Sequence, residues 1–368
     1  MFKRSGLERV RLIPESGLLA VILLLGLLLT FGGEPIRLRD GSTVNNFLRI
    51  DNLVPNVATP MSFIGVMSIG VTFVIIAGGI DISVGSISAL AALGAAAVLQ
   101  QFDEHASAWS VIPTALGVAL GIGLICGLVN GALVVGLRMH PFIVTLGTLS
   151  IFRGFALVSV PTKSLPSGDH TLPLGFTQQF VAWPLEIARG EGPPLMVQPV
   201  PFLALLLCMA AAWFYLTHTV GGRQVYAVGG NEEAARFAGL PVGRIKLRVY
   251  ALSGLCCGIA GLLSAGYYGS ASTATNEGYE LVVIAAAVVG GASLSGGRGS
   301  ALGAVLGALV IRLIENGIFI LKTIDLGLLT LTLSKEYTKI IIGIAIVVAV
   351  AIDRFSEYLQ ARRLGRAA

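Results

Sequence analysis

The chain of 368 residues is 55% hydrophobic and 12% charged, against about 25% charged in an average soluble domain, so too little polar surface is present to cover a water-soluble fold of this size. The net charge of +5 does not point to nucleic acid, because the basic residues are spread over short segments between apolar blocks, where they set membrane topology. Cys126, Cys208, Cys256 and Cys257 lie inside apolar runs, and His105, His140, His170 and His218 are scattered singly, so no metal or Cys-His spacing exists.

The apolar residues come in blocks long enough to cross a hydrocarbon core of about 30 Å, which takes about 20 helical residues. Basic residues Lys3, Arg4, Arg9 and Arg11 precede the first block, Leu18 to Phe31. Gly32-Gly33-Glu34-Pro35 follows it with no small-x-small cleavage pattern, which predicts an uncleaved first helix with its start in the cytoplasm. Further blocks run from about Val57 to Ala77, Val84 to Leu99, Val111 to Leu137, Pro141 to Val160, Val200 to Thr217 and Val249 to Gly266. Three more follow at about Leu281 to Gly291, Ala301 to Leu321 and Tyr337 to Ile352. The fold class expected is therefore an all-α polytopic membrane protein, one transmembrane domain over 1–368 with about ten helices, one of them short or broken. An even number of crossings puts both termini in the cytoplasm, in keeping with Arg354, Arg362, Arg363 and Arg366 in the tail. Alternation then places residues 162–198 outside and residues 218–248 inside, the latter with Arg223, Arg236, Arg244, Lys246 and Arg248.

Two Gly-rich segments interrupt the helical pattern in the same way. The first includes Gly78, Gly79, Asp81, Ser83 and Gly85, and the second includes Gly290, Gly291, Ser295 and Gly297, with Ser88-Ala89-Leu90 matched by Ser300-Ala301-Leu302. A constant offset pairs Gly78 with Gly290, Gly79 with Gly291, Ser83 with Ser295 and Gly85 with Gly297, which suggests an internal repeat. Glycines free the backbone and Ser or Asp side chains restart a helix by capping it. In a transporter, paired breaks of this kind mark a translocation path or its gate, and the same pattern also fits two ordinary tight turns. Glycines spaced by four, as in Gly117 and Gly121, in Gly123, Gly127 and Gly131, in Gly254 and Gly258, and in Gly303 and Gly307, predict helices packed backbone to backbone.

The chain has neither a Walker lysine motif nor H-E-x-x-H, and the stretch from Gly290 to Ser300 lacks the G-K-[ST] ending of a phosphate cradle. It is not expected to hydrolyse ATP itself. Ionisable groups inside the membrane blocks are few: Asp81, Arg153, Arg312 and Glu315, the last two three apart and able to pair. The most informative polar stretch is Thr217 to Arg248. In it, Asn231 can cap a short helix that carries Glu232 and Glu233 in its first turn, continues through Ala234, Arg236 and Phe237, and ends at Gly239 before Pro241. Phe237 and Leu240 offer apolar contact and the charged residues offer complementarity, which suits docking into a partner's groove. A solvated loop helix has the same pattern.

At these residues the sequence resembles the permease subunits of the bacterial ribose, xylose, arabinose and galactofuranose ABC importers. The resemblance runs from about Phe47 to Ile352. It is carried by Gly78 to Gly85, by Pro141 to Thr148 with Arg153-Gly154, by Gly229-Gly230-Asn231 with Ala234-Ala235 and Gly239, and by Gly290-Gly291 with Leu294 to Gly297. The segments Gly33 to Asn46 and Pro184 to Pro199 depart from the usual pattern. The resemblance implies a second permease subunit, identical or different, two ATPase domains that hold the ATP, and a periplasmic or lipid-anchored sugar-binding protein. It implies an inner-membrane location, and it implies that Asn231 to Gly239 is the coupling helix received by the ATPase. A carrier or channel working without an ATPase is the competing expectation, and the scarcity of buried carboxylates argues against it.

Overall fold

A computed structural model describes residues 15–33, 35–37, 41, 43–160, 162–187, 195–321, 323–325, 330–332, 334, 336–348 and 351. The charged start of the chain, Pro194 and the arginine-rich tail lie outside the described residues. Helix α1 spans Ser16–Gly32. Helix α2, Ile50–Asn52, runs through a π-helical turn, Leu53–Ala58, into α3, Thr59–Ile76, to make one 27-residue rod. Next come α4 (Val84–Leu99), α5 (Ala108–Leu137), α6 (Pro141–Ser159) and α7 (Val200–His218). They are followed by α8 (Val220–Gly230), α9 (Glu232–Phe237), α10 (Val242–Tyr268), α11 (Tyr279–Val289) and α12 (Ala301–Leu321), and residues 336–348 form α13.

Six of these rods are long and apolar enough to cross a membrane, while α1, α4 and α11 are shorter apolar helices. With α13, they correspond to the ten apolar blocks of the sequence. The protein is an all-α multi-pass membrane protein, and among the described residues its strands are two-stranded ribbons only: Ile36–Arg37 with Thr43–Val44, Ser164–Leu165 with Ala271–Ser272, Leu185–Ile187 with Leu195–Val197, and Thr323–Asp325 with Thr330–Thr332. Two of the ribbons fall in the segments 33–46 and 184–199.

Every residue of α3 is buried, including Ser62, Ser68 and Thr72. The hydroxyls are satisfied inside the bundle: Ser62 Oγ and Thr72 Oγ1 donate to carbonyls one turn back at 2.9 and 2.7 Å, and Ser68 Oγ donates across to Val283 O of α11 at 3.2 Å. A hydroxyl without such a partner would be costly in a medium with no water. Around α3 pack α7, α10, α11 and α12, and α10 lies along α5. The α5–α10 seam has the close approach expected from glycine spacing: a Cβ on Gly123 would lie 2.3 Å from Gly254 O, and one on Gly127 2.3 Å from Tyr250 O. Gly303 and Gly307 of α12 similarly approach Gly290 and Ala286 of α11. Gly117 and Gly121 do not follow the expectation; a Cβ at either would have no atom within 4 Å among the described residues.

The segment after α6 is more than a surface loop. Phe176 and Val181, at and within a π-helical turn that packs on α5, α7 and α10, are fully buried, and Val181 closes on Gly266. It gathers at one end of the bundle with 100–107 and 269–278, through Leu174 N to Glu104 O (2.8 Å) and Thr273 N to Lys163 O (2.9 Å). The connections 77–83, 138–140, 219–241 and 290–300 meet at the opposite end, where Ser300 Oγ also donates to Glu15 at the start of α1 (3.0 Å).

Candidate coupling and gating site

Helices α3 and α11 end in the same way, and at a different register from the sequence pairing. Ala77 N bonds Phe73 O, Gly78 N bonds Ile75 O and Gly79 N bonds Val74 O. In α11, Gly290 N bonds Ala286 O, Gly291 N bonds Val288 O and Ala292 N bonds Ala287 O. The two sets share the i−4, i−3, i−5 order, and the residue that turns left-handed is Gly78 (φ 78°) in one and Gly291 (φ 93°) in the other. Such a terminus satisfies the last carbonyls of a helix and needs glycine at the left-handed position. The geometric repeat therefore matches Gly78 with Gly291 and Ala77 with Gly290, one residue away from the offset read from identities. Beyond the turns the chain diverges: Gly85 is already inside α4, whereas Gly297 (φ 71°) is still in the connection. Ser83 is buried, whereas Ser295 is exposed.

The first break is fastened to three neighbouring helices. Asp81 accepts from Ser83 N (3.0 Å), Ser83 Oγ (2.6 Å), Ser253 Oγ of α10 (3.0 Å) and, more distantly, Asn130 Nδ2 of α5 (3.4 Å). Asn130 Nδ2 also donates to Ser83 Oγ at 2.7 Å. Ile80 O accepts from Tyr250 Oη of α10 (3.2 Å) and Thr145 Oγ1 of α6 (3.3 Å). Asp81 is wholly buried, and a carboxylate is tolerated there because each oxygen has donors. Its carboxylate, rather than the Ser83 side chain, prepares the start of α4. In the second break Ser300 performs that task by accepting from Gly303 N at 2.9 Å.

Gly85 and Arg153 belong together. A Cβ on Gly85 would lie 2.7 Å from Asn276 O and 2.9 Å from Glu280 Oε1. Arg153 Nη1 donates to Thr273 O (2.8 Å) and Thr275 O (3.1 Å), with Glu280 Oε1 3.8 Å from Nη2. Arg153 thus holds the 269–278 connection to α6, and Arg312 and Glu315 form an ion pair with each other.

The polar stretch 218–248 contains a helix that sequence reading missed. Helix α8 begins at Thr219, whose hydroxyl accepts from Gly222 N at 3.0 Å, and it runs to Gly230. Helix α9 follows as expected: Asn231 Oδ1 accepts from Ala234 N at 2.8 Å, Glu232 and Glu233 fill the first turn, and Gly239 (φ 81°) ends it before Pro241. Glu232 does not face outward alone. It pairs with Lys246 Nζ of α10 at 2.6 Å and with Arg236 at 3.0 Å. Partial burial works against its ionised form, but the hydrogen bonds and charges of Lys246 and Arg236 outweigh this and hold its pKa below the ordinary glutamate value. Phe237 is 85% exposed, while Leu240 turns inward beside a cavity of about 500 Å³ that Arg138, Glu232, Arg236 and Lys246 also line.

The three features meet at one point. Gly297 N donates to Ile76 O at 2.9 Å, so the second break bonds the end of α3. Gly229, two residues before Asn231, is inserted at that bond: a Cβ on it would lie 1.6 Å from Ile76 O and 2.7 Å from Gly297 N. A Cβ on Gly296 would lie 2.5 Å from Gly229 O and 3.1 Å from the Gly78 Cα. Tyr226 Oη of α8 adds a hydrogen bond to Gly299 O at 2.8 Å. The exposed helix α9 is therefore continuous with a helix whose backbone touches both breaks.

Comparison with known proteins agrees with this architecture. The family described as "Branched-chain amino acid transport system / permease component" matches residues 53–350. The ribose import permease protein of Escherichia coli (strain K12) is 36% identical over 84% of this chain and 87% of its own length. That of Bacillus subtilis (strain 168) is 38% identical over 83% of this chain and 85% of its own. The fructose import permease protein of Rhizobium meliloti is 35% identical over 82% and 77%, respectively. No solved structure matches the chain.

Proposed function

We propose, from the premise that the chain belongs to this family of transport-system permease components, that it is the membrane-spanning permease subunit of an ATP-driven importer and translocates a monosaccharide. The family description names amino acids, but the similar relatives are import permeases for ribose and fructose, and the identities to them extend over most of each chain. On this reading the chain lies in a bacterial inner membrane with both termini and α9 in the cytoplasm. A second permease subunit completes the path, a binding protein delivers the sugar from outside, and ATP is held by two ATPase domains on partner subunits.

The observation that carries the reading is the contact of Gly229 with Ile76 and Gly297. A push on α9 by a closing ATPase reaches the end of α3 and the connection that follows α11 through backbone contacts, with no flexible side chain between. Packed backbones move as units, so each state of the partner favours one arrangement of the two breaks. The chain then contributes a gate, and bond-making chemistry stays with the partner. Reconstitution in liposomes tests this: uptake of radiolabelled ribose should require the ATPase, ATP and the binding protein. Uptake by the permease alone would instead make it a carrier acting without an ATPase.

A further inference from the structure

Helix α5 runs for 30 residues, Ala108–Leu137. At about 1.5 Å per residue it is about 45 Å long, the thickness of a bilayer with its head groups. Residues 138–140 alone join its end to the start of α6 at Pro141, so this connection lies at the head-group layer rather than in the hydrocarbon. There the chain turns through Arg138, whose backbone is left-handed (φ 53°, ψ 30°). Glycine and asparagine take that conformation readily, and a large side chain held in it is a mark of functional sites. The Arg138 side chain is exposed and has no hydrogen-bond or ion-pair partner among the described residues.

Arg138 also lines the cavity of about 500 Å³ that lies beside Leu240. Three cations reach this cavity, Arg138, Arg236 and Lys246, and one anion, Glu232. Glu232 is already shared between Arg236 (3.0 Å) and Lys246 (2.6 Å), so three cations against one carboxylate leave two positive charges unmatched. Val134 and Val242, both buried, make another part of the wall apolar. Phe237, the exposed part of α9, does not line it.

A cavity of this size suits a small molecule or a head group rather than a helix. The excess positive charge selects an anion, and a guanidinium pairs well with phosphate oxygens. The apolar wall and the depth at the head groups favour a phosphate that brings glycerol and acyl carbons with it, as in other basic pockets between membrane helices. Its head group must carry net negative charge, because a choline cation would be repelled.

We propose that Arg138, Arg236 and Lys246 hold the phosphate of an anionic phospholipid in this cavity, tying the α5–α6 turn to α9 and α10. Such a site needs the multi-pass fold only, and stands apart from the importer reading.

The test uses the whole chain in detergent micelles with radiolabelled phosphatidylglycerol or phosphatidylcholine, and with inorganic phosphate as competitor. Salt at about 0.5 M shortens the Debye length to about 4 Å and screens the general attraction of a basic surface. One phosphatidylglycerol should stay bound per chain, about tenfold more tightly than phosphatidylcholine, and inorganic phosphate should displace it only weakly. Arg138→Asn accepts the left-handed backbone without the charge, and should weaken retention about tenfold, the size of one lost hydrogen bond to a charged group. Arg223→Gln removes an exposed positive charge at the same end of the bundle but outside the cavity wall, and should change retention less than about twofold. Equal retention of the two lipids, or equal losses in the two variants, would overturn the site. Displacement by inorganic phosphate as readily as by phosphatidylglycerol would put a soluble phosphate compound there and rule out the lipid.

Discussion

A Cβ on Gly229 would lie 2.7 Å from the peptide nitrogen of Gly297, the atom that donates to Ile76 O. No side chain larger than hydrogen fits there without moving α8 away from both breaks. Gly229→Ala should therefore destabilise the junction by at least about 1–3 kcal/mol, the usual cost of overpacking. Uptake should fall further than melting temperature in detergent alone would explain. Gly230→Ala is the matched control, because a Cβ on Gly230 has no atom within 4 Å among the described residues. Equal uptake by the two variants would remove the junction from the coupling route.

The two left-handed glycines make a second prediction. Gly78→Val and Gly291→Val place a β-branched residue at positive φ, at a cost of roughly 1–2 kcal/mol each. Gly79→Val meets a different obstacle, since its Cβ would lie 2.9 Å from Tyr250 Oη and 3.0 Å from Val74 Cγ1. All three should depress uptake more than Gly147→Val in α6, where a Cβ has no atom within 4 Å among the described residues. Gly127 would be a poor control, because it too sits at a backbone contact. Uptake by Gly78→Val and Gly291→Val that matches Gly147→Val would reduce the breaks to ordinary turns.

What could be read in advance depended on which property was being read. Apolar blocks located the spans, and Val84–Leu99 and Ala301–Leu321 agree at both ends, because the membrane imposes its own length on sequence. The apolar pattern starts α10 late, at Val249, because Arg244, Lys246 and Arg248 dilute the apolar block while Val242, Ile245 and Val249 still bury one helical face. Gly221, Gly222, Gly229 and Gly230 hide helix α8 because they lower helix propensity, and Gly229 is required by its contacts with Ile76 and Gly297, far away in sequence. The repeat register slipped by one because identities align glycine pairs, whereas the turn needs glycine only at its left-handed position. The Arg312–Glu315 pair was legible from spacing. The contact of Arg312 with Asn56 O is not, since local patterns do not reveal long-range packing.

Membrane sidedness is a third expectation, motivated by the basic residues of 218–248. Single cysteines at Arg236 and Trp183 sit at opposite ends of the bundle, and both native side chains are exposed. In spheroplasts an impermeant thiol reagent should label Trp183→Cys, and Arg236→Cys only after the membrane is opened. Labelling of position 236 in sealed spheroplasts would overturn the placement of α9 in the cytoplasm.

The last prediction separates the two jobs of α9. Glu232 is tied to Lys246 at 2.6 Å, so its charge serves attachment to α10, and Phe237, 85% exposed, is free for a partner. Phe237→Ala should weaken docking of the ATPase by about 2 kcal/mol or more, roughly thirtyfold in affinity, if the ring fills a groove. Glu232→Lys faces Lys246 and Arg236 with a like charge and should loosen α9 itself. Each partly exposed pair is worth only about 0–1 kcal/mol, so that effect is smaller and sensitive to salt. Adding Lys246→Glu should restore part of it, which a contact with the ATPase alone would not do. The pH dependence has a definite sign: because Glu232 is held below the ordinary glutamate pKa, its contribution is full above the ordinary value and is lost as pH falls through the depressed one. ATPase co-purification measured against pH and salt for Phe237→Ala, Glu232→Lys and the charge swap reads both jobs at once. Wild-type co-purification and sugar-stimulated hydrolysis by Phe237→Ala would mean that α9 is a solvated loop helix, and that the ATPase docks elsewhere.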